Sequence, residues 1–184
     1  NMPLVIQRTA LTNQGTANEI ATFTIKQFTY GDREVGDDNS NPFPTFKGKR
    51  INKVLFFRNR LAFLAGENVI LSRPGTVGEP DFFAETALTV SANDPIDISC
   101  SSTFPSELFD GIDINSGLVV FSTNQQFLLS SDDTVLNPDT AKLRSISTFN
   151  YNKDIPPISL GTTIAYLDDS GKFSRFNEMA NIAR

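Results

Sequence analysis

Apolar and polar residues fall in short alternating runs between Lys49 and Arg73, KRINKVLFFRNRLAFLAGENVILSR. Val54–Phe57 is apolar, β-branched and aromatic; Leu61–Leu64 is a second run and Val69–Leu71 a third. Arg58-Asn59-Arg60 and Ala65-Gly66-Glu67-Asn68 separate them with polar, turn-prone residues. Runs of this length divided in this way predict consecutive antiparallel strands joined by hairpins. A buried helix would need its apolar residues spread over several uninterrupted turns. The stretch reads as a β-meander.

The pattern returns downstream. Shifted so that Phe63 falls on Phe121, FLAGENVILS overlies FSTNQQFLLS (Phe121–Ser130) and Leu61 meets Val119. A second shift carries Val119-Val120-Phe121 onto Ile164-Ala165-Tyr166, and the turn Thr123–Gln126 onto Asp168–Gly171. Hairpins with one grammar, roughly 40–50 residues apart, predict radial β-repeats, although any meander-rich chain yields some such pairs by chance. The expected fold is all-β, with antiparallel meanders as β-propeller-like blades and long loops. Blades are expected at Lys53–Leu71, Asp113–Leu129 and Ser159–Phe176, with Phe57, Phe63, Phe121, Phe127 and Tyr166 buried. Pro95, Pro105, Pro138, Pro156 and Pro157 fall outside these stretches, as central strands require. Residues 1–184 are expected to form a single β-rich domain or domain fragment. Within it, 1–46 would be an N-terminal hairpin and loop, and 47–184 about three blade-like repeats.

Elsewhere the pattern is weaker. Met2–Gln7 predicts an edge strand, and Glu19–Phe28 (EIATFTIKQF) alternates as a half-buried strand would, with the turn Asn13–Asn18 between. Tyr30–Phe46 reads as loop. Asp81–Ala87 predicts one or two helical turns, and Leu88–Val90 and Ile96–Ser99 predict short strands around the Ala92–Pro95 turn. Pro74–Pro80, Ser101–Phe109 and Ser130–Ala141 read as irregular. Leu143–Phe149 reads as strand, Asn150–Pro157 as a turn, and Asn177–Arg184 as a weak helix start.

Composition narrows the chemistry. At 184 residues the chain is long enough for one domain burying roughly 70% of its unfolded surface. A hydrophobic fraction of 39% with 16 Phe marks a folding chain, and a net charge of −5 gives no global basic field for nucleic acid. The single cysteine, Cys100, excludes an internal disulfide and a multi-cysteine zinc site, and it reads as a small buried hydrophobe. The absence of histidine removes the commonest metal ligand, the Ser-His and Cys-His nucleophile systems, and the usual general base near neutral pH. There is no apolar run long enough to span a membrane as a helix and no export signal. The opening Asn before Met2 and the close at NIAR are what a piece of a longer protein would show.

Candidate sites each carry a plainer reading beside the sharp one. Asp32, Glu34, Asp37 and Asp38 could chelate calcium, but they lack the spacing that ends in a bidentate Glu, so a solvated loop is favoured. Asp110, Asp113 and Asn115 beside Gly117 have the wrong spacing and the register of a strand. Lys47, Lys49, Arg50, Lys53, Arg58 and Arg60 could face phosphates. The favoured reading puts them at loop ends and on a strand's solvent face, with Arg58 and Arg60 paired to carboxylates. Phe56 and Phe57 among them read as core rather than base-stacking residues. Glu67, Glu79, Asp81 and Asp97 could supply a glycosidase pair, but nothing in the spacing selects one. Ser72 has no glycine-flanked elbow, and Gly15, Gly36 and Gly48 are isolated rather than a phosphate loop. No catalytic, cofactor-binding or metal residue is predicted.

A resemblance adds what spacing does not. FFRNRLAFLAGENVILSR, YGDREVGDDNSNPFPTF (Tyr30–Phe46), PDFF (Pro80–Phe83), NDPID (Asn93–Asp97) and LVVFSTNQQFLL (Leu118–Leu129) together resemble the tail tubular protein B, or nozzle, family of short-tailed bacteriophages. Members of that family are several times longer. The resemblance implies a ring-forming structural protein with β-propeller-like parts, at the end of the tail through which DNA leaves the capsid. It implies partners that are copies of itself and other phage tail proteins, with DNA in transit but not specifically bound. It places the chain in the virion, assembled in the bacterial host cytoplasm, and outside the enzymes. The alternative is a carbohydrate-binding or carbohydrate-hydrolysing β-domain of a phage tail. The basic cluster is then expected to face neighbouring subunits or the acidic loop Asp32–Asp38.

Overall fold

A computed structural model describes residues 3–75, 79–102, 105–131 and 135–180. Met2, the tips of the three expected irregular stretches (76–78, 103–104 and 132–134) and the end of the expected C-terminal helix (181–184) lie outside the described residues. Among the described residues every regular element is a strand, and no helix is long and apolar enough to cross a membrane. The all-β expectation holds.

The stretch Lys53–Leu71 forms β3 (Lys53–Phe57), β4 (Arg60–Ala65) and β5 (Asn68–Leu71), paired antiparallel with Val54 opposite Phe63 and Phe63 opposite Ile70. β6 (Ile96–Ser99) adds as a fourth strand, Leu71 opposite Ile96. The second sheet repeats this plan with β7 (Leu108–Ile114), β8 (Gly117–Ser122), β9 (Gln126–Ser131) and β10 (Ala141–Ser147) in consecutive order. The third contains β11 (Ile158–Ser159), β12 (Thr163–Ser170) and β13 (Phe173–Ala180). Register corrects the expected shift by one residue: Phe63, fourth in β4, stands opposite Ile70, whereas Phe121, fifth in β8, stands opposite Gln126, so it is Val120 that holds the place of Phe63.

Two glycines set local geometry. Gly66, at φ +61, is the first central residue of the two-residue β4–β5 turn, where a side chain would be strained. Gly117 enters β8 at φ +153, and a Cβ there would lie 2.2 Å from the Leu129 carbonyl oxygen.

The three sheets stack face against face. Ala62, Leu64, Val69 and Leu71 of the first pack on Leu118, Val120, Phe127 and Leu129 of the second. The opposite face of the first sheet carries Phe63, Ala65 and Ile70, covered by Phe46 and Phe82 from the long loops. The opposite face of the second carries Val119 and Phe121, which meet Ile164 and Tyr166 of the third across Tyr151. β8 is therefore buried on both sides, which is why Leu118–Phe121 is a continuous apolar run rather than alternating. Phe57, Phe63, Phe121, Phe127 and Tyr166 are all buried, and burying Phe63 fully contributes about 1.5–3 kcal/mol.

Several expectations are corrected. Phe56 is 69% exposed, because adjacent residues of β3 point to opposite faces and only Phe57 reaches the core. Asp81–Ala87 is not helical: Asn41 grips Ala84 at both backbone groups (Nδ2 to O 3.0 Å, N to Oδ1 3.1 Å) and holds it away from helical bonding. Leu88–Val90 is a run of bends rather than a strand, with Leu88 exposed. Asn177–Ala180, read as a helix start, completes β13. The N-terminal hairpin exists as β1 (Leu4–Thr12) and β2 (Ile20–Gln27), but β2 is exposed along its whole length instead of half-buried. Its alternation is real, but no layer among the described residues covers its apolar face.

Candidate functional site

The basic cluster Lys47–Arg60 is divided by the fold. Arg60 opens β4 and is buried, with Nη1 donating to the carbonyls of Ser72 (2.9 Å) and Asp94 (2.7 Å). Its Nη2 donates to Ala92 (2.9 Å) and Leu136 (3.3 Å). Burial lowers its pKa, against which the Asp94 carboxylate acts. The expected carboxylate pairing is thus replaced by carbonyls of strand and loop ends that converge on the guanidinium. Among the described residues no carboxylate pairs with Arg58, whose guanidinium lies over the Phe57 ring at 5.5 Å.

Lys53 Nζ sits 2.9 Å from Asp110 Oδ2 and ties β3 to β7. Lys47 Nζ sits 3.0 Å from the centroid of the Phe43 ring. Lys49 and Arg50 remain exposed. The acidic loop does not receive the cluster, because Asp38 pairs with Arg33 at 2.6 Å.

The acidic candidates are also occupied. Asp37 Oδ1 accepts from the Asn39 and Ser40 amides (3.0 and 2.9 Å) and the Ser40 hydroxyl (2.9 Å). The Ser40 bonds, then Asn39, hold its carboxyl below the ordinary range. Such a side chain closes a turn. Asp32, Glu34, Glu79, Asp81 and Glu85 surround Arg73 in a cavity of about 290 Å³, where Arg73 binds Asp81 (3.1 Å) and Glu85. Asp97 lines a different cavity and accepts from the Thr45 amide (2.8 Å), the Thr45 hydroxyl (2.9 Å) and Asn68 Nδ2 (2.9 Å). Glu79 and Asp81 thus share a cavity, and Asp97 stands apart. Asp110 and Asp113 lie within β7. Among the described residues no group of three or more His, Cys, Asp or Glu side chains could hold a metal ion.

Ser72 and Cys100 are structural. The Ser72 hydroxyl donates to the Arg73 carbonyl (2.9 Å) and accepts from the Leu61 amide (3.0 Å). Cys100 is buried in the first core, with Sγ 3.5 Å from the Ser106 carbonyl. Burial, then Glu67, pushes its thiol pKa up, which disfavours the nucleophilic thiolate.

What the arrangement offers is surface and stacking rather than converging reactive groups. The model of the bacteriophage nozzle protein family matches residues 1–184. The chain belongs to that family. It is also 32% identical over 152 residues to the tail tubular protein gp12 of Escherichia phage T7, covering 83% of this chain. That alignment takes in 19% of the relative, so this nozzle-family chain spans about a fifth of the length of the curated relative it matches.

Sequence reasoning missed three features. An aromatic cavity of about 480 Å³ lies between Tyr30, Phe43, Phe46, Phe82 and Phe83. A second, of about 460 Å³, lies at the seam of the second and third sheets. Buried Asp168 Oδ1, Asn177 Nδ2 and Tyr30 Oη lack hydrogen-bond partners. The spacing of Phe43, Phe46, Phe82 and Phe83 was the one signal for the first; the others depend on contacts between distant strands.

Proposed function

We propose that the chain is a structural part of a phage tail nozzle, contributing to the wall of the tube through which DNA passes into the host. The nozzle-family match over residues 1–184 carries this reading. The stacked meander sheets support it, since sheets packed face to face make a continuous wall. In this reading residues 1–184 act as one β-rich unit, with 1–46 a ribbon and loop and 47–184 about three blade-like repeats. Copies of the parent protein form a ring and join other tail proteins in the virion, after assembly in the host cytoplasm. DNA passes without being specifically held, and no chemistry is performed on it. Electron cryomicroscopy of the parent protein tests this: rings whose wall accommodates these sheets are expected, and a monomer without rings would overturn it.

A second reading, a carbohydrate-binding β-domain, draws on the aromatic cavity at Tyr30, Phe43 and Phe83. Calorimetric titration with host-surface oligosaccharides separates the two, since the nozzle reading expects no heat of binding.

A further inference from the structure

Two apolar features of the chain are uncovered, and each suits the other. The first is one face of the β1–β2 ribbon. Ile6 stands opposite Ile25, with Leu4 and Phe23 flanking them on the same side. Their exposures run from 58% for Phe23 to 66% for Ile6. The one charged strand residue on that face is Arg8, opposite Phe23. Clustered apolar side chains of this size on a soluble chain mark an interaction surface.

The second is the cavity of about 460 Å³ at the seam between the second and third sheets. Its walls include Ile114, Leu128, Ile146, Phe149, Ile164 and Met179. Among the described residues, Glu178 is its one charged lining side chain. The ribbon therefore offers an apolar strip with one cation, and the seam a largely apolar trough, with the hydroxyl residues Ser116, Ser147 and Thr162 on its wall and one anion. Among the described residues nothing covers the ribbon face, so it does not fill the seam of the same chain.

We propose that the ribbon of one copy seats its Leu4, Ile6, Phe23 and Ile25 face in the seam cavity of a second copy, with Arg8 against Glu178. Charge complementarity fixes the register, and apolar burial supplies the attraction. Donor and acceptor are different surfaces, so the contact is head-to-tail and closes into a ring when the rotation between copies allows it. The contact deepens the ring assembly proposed above, and its closure rests on that reading; the contact itself rests on the ribbon and the seam.

Sedimentation of the chain over a concentration series tests the contact. Association that grows with concentration is expected. Phe23→Glu/Ile25→Glu removes the donor and Ile146→Arg blocks the acceptor, and each variant alone should be monomeric. An equimolar mixture of the two should give dimers and nothing larger, because one donor and one acceptor survive. Arg8→Glu should weaken association several-fold, and combining it with Glu178→Arg should restore it. At a concentration too low for association, the melting temperature of the ribbon variant should equal the parent's, since those side chains lie outside the three cores. A parent chain that stays monomeric at several hundred micromolar overturns the contact, as does a mixture without dimers or a charge swap without rescue. Rings of the parent protein with the ribbon elsewhere would overturn the contact and leave the nozzle reading standing.

Discussion

Arg60 Nη2 donates to the carbonyl oxygen of Leu136 at 3.3 Å, across 76 residues of chain. With Ser72, Ala92 and Asp94 the same guanidinium holds carbonyls from the first sheet, the 91–95 turn and the loop before β10. A planar fork with five donors suits this task, and an ammonium does not. Arg60→Met should cost about 3–5 kcal/mol, because it strands buried acceptors. Arg60→Lys should recover a minor share. Urea unfolding measures both, and a loss under about 1 kcal/mol for Arg60→Met would contradict the role.

That arginine also marks where sequence reading stops. β3, β4 and β5 are legible because their apolar runs and turns are local. The sheet-to-sheet likeness is legible in the recurring short apolar runs, but laying Phe63 on Phe121 misses the register by one residue, because the pairing is set by where the two-residue turns fall. The carbonyls around Arg60 are backbone atoms from distant loops, and side-chain spacing carries no trace of them. β6 and β10 read as strands, but their places as fourth strands depend on long connections. Phe56 and Phe57 look equal in composition, and only the pleat separates them. The β1–β2 ribbon alternates as a half-buried strand should, because a surface awaiting a partner has the same pattern as one already covered.

The β3–β4 turn stores correctable strain. Arg58 and Asn59 both have positive φ, 45° and 62°, between paired Phe57 and Arg60. A two-residue turn of this geometry favours Asn-Gly, and a long side chain in the left-handed region costs about 1–2 kcal/mol. Arg58→Asn/Asn59→Gly should stabilise the chain by about 1 kcal/mol after losing the weak Arg58–Phe57 contact. Thermal unfolding should show a higher midpoint; a lower one would refute the strain.

Alkaline pH should weaken the seam between the second and third sheets. Burial, then the Asp168 charge, raises the Tyr166 pKa; burial, then Asp110, raises that of Tyr151 further. A phenol whose folded pKa is raised keeps its proton longer in the native state. Its contribution is therefore fully present below the unfolded value of about 10 and is lost as pH rises from there toward the folded value. The melting temperature should hold near pH 8 and fall above about pH 10. Tyr166→Phe should fall less steeply, and an unchanged slope would remove Tyr166 from the account.

DNA binding should be weak, and the fate of the basic cluster explains why. Each phosphate a protein neutralises adds salt-sensitive affinity, so a surface that gripped duplex DNA would slow its passage. Arg60 is buried on carbonyls, Lys53 is spent on Asp110, and Lys47 and Arg58 lie over aromatic rings. Lys47, Lys49, Arg50 and Arg58 keep exposed charges, on a chain of net charge −5. Four dispersed cations, two of them resting on rings, give little against that repulsion. Anisotropy titration with duplex DNA should give roughly millimolar to high-micromolar binding near physiological salt, falling further as salt rises. Lys49→Glu/Arg50→Glu should weaken it further. Sub-micromolar binding that this double variant removes would instead make the cluster a DNA-gripping surface and overturn free passage.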